Sequence, residues 1–523
     1  MSSFRRLAIL LAALSLPLCS KAQTLRQPDS TMYYIYPAGG RQGQSVEVEF
    51  GGMPGMTGAK EVLIEGPPGL SASNVKVISP IAATATFAIS KDAAPGVRLV
   101  RLRGVGSGLT NCRLFFVSRL PEIIEKEPNN LPARPQDVVL PAVINGRLDP
   151  DFDVDCFRFQ ARAGQRLVAA IHAHGMDSRM RNPAGGGGFL DTGLELLDDK
   201  GKVLAAADDN LGLDPLLEYA VKADGKYTLR VQALAGKGSK SAVYRLTVGE
   251  VPYPTLVFPP GGQRGQKLAV EYTGPHIAPR TRRSISVPSD GITPWISVGF
   301  DDPLSDGREL PFIRGEFPEL IESEPNNDAA QAMSLTMPVT VNARFDRPGD
   351  ADWFRVTLKK GEGMLLSTTA QRHLRSPVDT LIEVFDEAGK KLAEDDDGTL
   401  FAGQCAHDFK SADSWLPFTA PKDGKYLIRI SDQNGTGGPS AIYRLTAEPL
   451  RPDFMLYQWP DAGPIWGPGS TAAFVVQLHH WGNLDAEIEL KVEGLPPVGR
   501  GARPLCRPHT TASTGRRRSR SRC

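Results

Sequence analysis

The chain has little from which to build an active site. Histidine is scarce, eight in 523 residues, and neither Gly-x-Ser-x-Gly nor His-Glu-x-x-His occurs. The usual serine-hydrolase and zinc-peptidase constellations are therefore missing. Glycosidase-type paired carboxylates are not excluded by composition, but the acidic positions that stand out are duplicated, whereas active sites are usually single. Cysteine is sparse, six residues, too few for a disulfide scaffold at this length. Cys112, Cys156 and Cys405 stand singly and read as small buried apolar residues, with a Cys112–Cys156 bridge left open. Net charge is nearly absent at +1, which gives no field to gather nucleic acid. Long amphipathic helical patterns are missing, and an α/β enzyme fold would need them between its strands. Beyond the N-terminus no apolar run approaches the roughly 20 residues that span a bilayer.

What is abundant is turn-forming sequence. Gly (53) and Pro (43) favour many short strands, and the length suggests roughly three to five domains. Residues 1–22 have the form of a signal peptide: Arg5 and Arg6, an apolar run from Leu7 to Leu18, then Ser20-Lys21-Ala22. Leu18 is bulkier than the residue that usually precedes a lipidated cysteine, so Cys19 is expected to leave with the signal. The mature chain is expected outside the inner membrane (periplasmic, cell-surface or extracellular), without a transmembrane segment and as a monomer.

The chain also repeats itself. Ile124-Glu125-Lys126-Glu127-Pro128-Asn129-Asn130 recurs as Ile321-Glu322-Ser323-Glu324-Pro325-Asn326-Asn327, 197 positions later. At the same offset Asp153-Val154-Asp155-Cys156-Phe157-Arg158 matches Asp350-Ala351-Asp352-Trp353-Phe354-Arg355. Leu190-Asp191-Thr192, Asp208-Asp209, Asp224-Gly225-Lys226-Tyr227 and Val243-Tyr244-Arg245-Leu246-Thr247 then pair, in order, with Val378-Asp379-Thr380, Asp396-Asp397, Asp423-Gly424-Lys425-Tyr426 and Ile442-Tyr443-Arg444-Leu445-Thr446. A second repeat is interleaved: Tyr36-Pro37-Ala38-Gly39-Gly40 resembles Phe258-Pro259-Pro260-Gly261-Gly262. The order is X–Y–X–Y, with X at 30–120 and 253–317, the latter reduced, and Y at 122–249 and 319–448.

Within Y the hydrophobic period is two: Phe157, Phe159 and Ala161 alternate with Arg158, Gln160 and Arg162. Turn sequences such as Asp198-Asp199-Lys200-Gly201-Lys202 join the runs. The expected class is all-β, tandem antiparallel β-sandwiches, immunoglobulin-like and jelly-roll-like modules alternating. A further module is expected to start at 452–498, with strands at 473–478 and 486–492. Its pattern stops at Leu495-Pro496-Pro497, so it reads as cut short. The basic 499–523 segment is read as a disordered or non-native extension, in preference to an anion-binding tail.

The ordered blocks of Y resemble the bacterial pre-peptidase C-terminal domain, a family similar in turn to the collagen-binding domains of clostridial collagenases. The X units more weakly resemble TIG/IPT immunoglobulin-type modules. The resemblance implies secreted sandwiches appended to proteases or surface proteins, without catalysis of their own. Calcium needs six to eight hard oxygen ligands. Glu125, Glu127, Asn129 and Asn130 supply four such side chains in six residues. Asp153 and Asp155 would complete the cage, as a matching acidic pair does in the collagen-binding relatives. Glu322, Glu324, Asn326, Asn327, Asp350 and Asp352 form the second set. The competing reading is solvated turn residues with Asp153 and Asp155 capping a strand. Asp208-Asp209 and Asp396-Asp397 read as turn carboxylates. His172-x-His174 reads as strand surface, and Gly185 to Gly188 as a loop rather than a phosphate cradle. The expected roles are a structural or adhesive array, an accessory to extracellular proteolysis, or a fragment of a larger secreted peptidase. The alternative is an array that binds polysaccharide or fibrous protein through exposed aromatics such as Trp353 and Trp415, but Trp353 replaces Cys156 at an alternating position that is expected to face the core.

Overall fold

The computed structural model describes residues 31–52, 56–104, 109–178, 188–291, 293–398, 412–459, 475–482, 484 and 488. Cys405, the segment 1–22 and the tail 499–523 lie outside the described residues. The fold is nearly all strand. Among the described residues, helix is confined to three short turns, Met56–Gly58, His174–Met176 and Gln371–Leu374. None of these is long enough to cross a membrane.

The first Y unit contains ten strands: β1 (Glu122–Ile124), β2 (Gln136–Asp137), β3 (Ala142–Arg147), β4 (Val154–Ala161), β5 (Arg166–His172), β6 (Thr192–Leu197), β7 (Val203–Ala207), β8 (Leu216–Ala220), β9 (Gly225–Ala233) and β10 (Val243–Gly249). They form two five-stranded sheets, ordered β2-β4-β9-β6-β7 and β8-β5-β10-β3-β1. Numbering the second Y unit onward gives β11 (Glu319–Ile321), β12 (Met333–Ser334), β13 (Val339–Arg344), β14 (Ala351–Leu358), β15 (Gly363–Thr369), β16 (Thr380–Asp386), β17 (Lys391–Asp395), β18 (Trp415–Thr419), β19 (Gly424–Asp432) and β20 (Ile442–Pro449). Its sheets run β12-β14-β19-β16-β17 and β18-β15-β20-β13-β11, so every strand has its counterpart ten numbers earlier. All pairings are antiparallel except the two short edge pairs in each unit, β1 with β3 and β2 with β4, and their equivalents.

The period-two pattern does what hydrophobic burial requires. Phe157, Phe159 and Ala161 of β4 enter one core with Leu229, Val231, Leu194 and Leu246. Phe354, Val356 and Leu358 do the same in the second unit. Each fully buried large side chain contributes about 1.5–3 kcal/mol. Asp155 and Asp352 share this inward alternation and are fully buried at the head of their strands. The intervening position faces outward, so Trp353 is not a core residue: it is half-buried and packs on Phe385 with ring centroids 5.3 Å apart. Cys156, at the same place in the first unit, is buried, and Cys112 and Cys156 are both free thiols. His172 and His174 do not share a strand face, because β5 ends at His172 and His174 opens the short turn that follows.

Each X unit packs two smaller sheets. In the first the strand orders are Met32–Tyr36, Ser45–Gly52, Ala82–Ile89, Leu70–Ser79, and Gly39–Arg41, Arg113–Ser118, Gly96–Arg103, Glu61–Glu65. The second X unit keeps three strands in each sheet. Past the second Y unit, Asp453–Trp459 pairs antiparallel with Val475–Trp481. The latter overlaps the strand expected at 473–478, the former has no counterpart in the sequence reading, and most of 486–492 lies outside the described residues.

Candidate metal centre

Three carboxylates of the first Y unit converge from two distant segments. Glu125 and Glu127 follow β1, Asp155 sits in β4, and each offers an oxygen within 4.8 Å of the other two. The second unit gathers Glu322, Glu324 and Asp352 in the same way. Local hydrogen bonds fix each acid. Glu125 Oε2 accepts the Arg147 N–H at 2.6 Å, and Glu322 Oε2 accepts that of Arg344 at 2.9 Å. Glu127 Oε2 accepts the Asn129 N–H at 2.9 Å, and Glu324 Oε2 that of Asn326 at 3.0 Å. The Asn129 carbonyl in turn accepts the Cys156 N–H at 3.1 Å, tying the Glu-Pro-Asn-Asn segment to β4.

The buried Asp155 is held by a residue that sequence reasoning did not single out. Tyr244 of β10, wholly buried, donates its hydroxyl to Asp155 Oδ2 at 2.6 Å, and Tyr443 donates to Asp352 Oδ2 at 2.5 Å. The signal was present as the Tyr-Arg-Leu-Thr block, but only the fold lays that strand against the acids. Asn130 and Asp153 are used differently. Asn130 Nδ2 donates to Asp153 Oδ1 at 2.5 Å, and Asp153 also accepts the N–H groups of Asp149 at 2.8 Å and Val154 at 2.9 Å. This is the capping role weighed against metal ligation. In the second unit Asp350 accepts the Asp346 N–H at 2.8 Å, while Asn327 donates to Glu324 at 2.9 Å.

Gathering carboxylates away from water disfavours their ionised forms. Burial, reinforced by Glu127 and Asp153, pushes Glu125 up to about 8. Burial, reinforced by Asp352, pushes Glu322 up to about 9, and burial with Asp350 and Glu324 pushes Asp352 up to about 8. Burial and then Glu125 raise Asp155 well above the usual carboxylate range.

The donor set fits a hard cation. Asn129 is fully buried, yet among the described residues neither its Oδ1 nor its Nδ2 has a hydrogen-bond partner, and Asp155 Oδ1 has none either. A buried polar atom without a partner costs about 1–3 kcal/mol. In the second unit one terminal amide atom of Asn326 lies 3.3 Å from Glu324 Oε2 and 3.1 Å from Asp352 Oδ1. Without a cation that position suits the amide nitrogen, and with one it suits the carbonyl oxygen. Oxygen-only donors, carboxylate and amide, match Ca²⁺ rather than zinc or copper.

The cluster also abuts the neighbouring X unit. Tyr36 donates to the Asn145 carbonyl at 3.2 Å, and its phenol is raised by burial and then by Glu125. The Arg147 guanidinium lies 4.3 Å from the Tyr36 ring centroid, and Arg344 lies 4.9 Å from that of Phe258.

Residues 153–233 match the family described as the bacterial pre-peptidase C-terminal domain. The match takes in Asp153 and Asp155 and starts after the Glu-x-Glu-Pro-Asn-Asn segment. A probable subtilase-type serine protease of Deinococcus radiodurans is 38% identical over 81 residues, 16% of this chain and 10% of that protein. The matched part is thus about a tenth of the relative's length. Among solved structures, the pre-peptidase C-terminal domain of a Bacillus anthracis collagenase aligns with 17% identity over 24% of this chain and 100% of that one, with a TM-score of 0.17. The secreted serine protease VesC from Vibrio cholerae aligns with 11% identity over 40% of this chain and 48% of that one, with a TM-score of 0.16. The chain therefore contains one domain of the pre-peptidase C-terminal family, at 153–233.

Proposed function

We propose that this chain is an exported, non-catalytic array of β-sandwich modules, accessory to extracellular proteolysis, in which each Y unit binds one Ca²⁺ where it meets its X unit. The carrying observation is the three-carboxylate cluster, graded from a buried Asp through a half-buried Glu to an exposed Glu and built twice from the same positions, with unpartnered buried oxygen and amide atoms beside it in the first copy. Glu125, Glu127, Asp155 and Asn129 would hold the first ion, and Glu322, Glu324, Asp352 and Asn326 the second. The second Y unit is then a further domain of the same family as the first. Bound Ca²⁺ would remove the repulsion among the acids and fix the segment joining X to Y. The accessory role rests on the family match and on the protease in which the similar segment occurs. The same match supports a second reading, that the chain is part of a larger secreted peptidase.

Titration of the metal-free chain with Ca²⁺ by calorimetry tests this, alongside thermal melts in Ca²⁺ and in EDTA. Two sites are expected, with chelation lowering the melting temperature and exposing the chain to proteolysis near Glu125 and Glu322. At a free concentration of 100 times Kd each ion stabilises by about 2.7 kcal/mol. No heat of binding together with an unchanged melt refutes the metal reading.

A further inference from the structure

The two Y units differ most tellingly at one loop position. In the turn before β14, Gly349 has φ +76, a left-handed conformation suited to glycine, and its N–H bonds the Gly435 carbonyl. In the first unit the same turn, with the same bond to Gly236 O at 3.0 Å, carries Phe152 at φ +64. A bulky residue is rare in that region. The substitution gains nothing for the core, because the Phe152 side chain is 79% exposed. Strained backbone holding an outward aromatic is a pattern found at ligand sites.

The surroundings of Phe152 are also specific to the first copy. Lys237 lies 6.0 Å from its ring centroid and pairs with Asp151 at 2.8 Å, and Asp151 also accepts the Gly238 N–H at 2.9 Å. Leu234 is exposed in the turn that touches the Phe152 ring, and Leu131 is exposed next to Asn130, which bonds Asp153. The second unit carries Asp328, Gly349, Gln433 and Thr436 at these positions, so the apolar surface and the cation are both lost.

We propose that Phe152 is the stacking platform of a binding site for a neutral polysaccharide. A pyranose presents an apolar C–H face that packs on an aromatic ring and hydroxyls that bond to groups at the ring's edge. Lys237 stands over one face of the Phe152 ring, so the exposed ring offers its other face for stacking, and the Asp151–Lys237 pair beside it supplies an acceptor and a donor whose charges cancel, which suits an uncharged ligand. A protein partner would need a pocket to receive the projecting ring, whereas a sugar needs only the face and edge already present.

The test compares the full-length chain with Phe152→Gly on cellulose, chitin and soluble mixed-linkage β-glucan and galactomannan, with immobilised gelatin as the protein arm. Gly349 shows that glycine suits this turn, so Phe152→Gly is expected to melt at the same temperature or higher. The expected result is binding of at least one glycan, weakened at least tenfold in Phe152→Gly and kept in Phe152→Trp. Wild-type binding to none of the glycans, equal binding by Phe152→Gly, or retention on gelatin alone overturns the proposal.

Discussion

At the scale of single residues, the same oxygen-bearing side chains do two jobs. Glu125, Glu127 and Asp155 converge, whereas Asp153 and Asn130 spend their oxygen and nitrogen on each other and on the loop. Sequence pattern listed all of them together, because spacing does not say which way a side chain turns. Tyr244 shows the converse: its role depends on a strand 89 residues from Asp155. Tyr244→Phe is expected to cost about 1–2 kcal/mol, since it removes a hydrogen bond to a buried acid. It should also weaken Ca²⁺ binding at the first cluster by about 10–100-fold, as loss of an orienting partner typically does, leaving the second cluster unchanged. Calorimetry resolves the two sites, and equal affinities in the variant would refute the orienting role.

At the scale of elements, the repeated blocks sort into fixed structural duties. In Asp-Gly-Lys-Tyr, Asp224 accepts the Ala163 N–H at 2.8 Å and Tyr227 donates back to the Ala223 carbonyl at 2.7 Å, with Asp423 and Tyr426 repeating both contacts. In Tyr-Arg-Leu-Thr, alternation along β10 sends Tyr244 to the acids and Leu246 to the core, while Arg245 turns to the seam with X. There Arg245 is almost fully buried, pairs with Glu122 at 2.5 Å and stacks 4.7 Å from the Phe116 centroid. Gly39 must come this close: a Cβ would stand 2.7 Å from Arg245 Nε and 3.0 Å from the Phe116 carbonyl. Gly261 meets Arg444 in the same way, so the Pro-x-Gly-Gly segment of each X unit is a docking element for its Y unit. Gly39→Ala is therefore expected to lower stability by about 1–3 kcal/mol through overpacking. Gly225→Ala, where nothing lies within 4 Å, is the control expected to stay within about 1 kcal/mol. Urea unfolding of both variants decides the point.

Across the whole molecule, the four units meet around His172. Its ring packs on Phe116 of the first X unit, with centroids 5.1 Å apart. Gly175 lies between His172 Nε2 and the Arg375 guanidinium of the second Y unit. Asp306 of the second X unit accepts the Thr247 hydroxyl at 2.7 Å, and its carbonyl accepts from Arg245 at 3.1 Å. Burial first, then Arg308, Arg375 and Arg245, hold His172 well below its ordinary pKa, while Asp214 lies beside Arg375 and binds the N–H groups of Ala173, His174 and Gly175. The unfolded chain takes up a proton near pH 6.5 that the folded chain refuses, so stability is present above that pH and lost as pH falls below it. The slope approaches about 1.4 kcal/mol per pH unit for this one group. His172→Gln should remove that component from melts taken between about pH 7 and pH 5, and an unaltered slope would rule it out.

The sequence by itself determined the sandwich class and showed the repeated blocks, because strand period and turn chemistry are local properties. It placed Trp353 on the wrong face, since alternation names two faces without saying which is core. Only the tertiary structure decided that Asp155 points inward, that Tyr244 holds it, that Arg245 faces Gly39 across a seam, and that Phe152 stands out in solvent. Each depends on which strands become neighbours, and the hydrophobic packing of two sheets settles that for the chain as a whole.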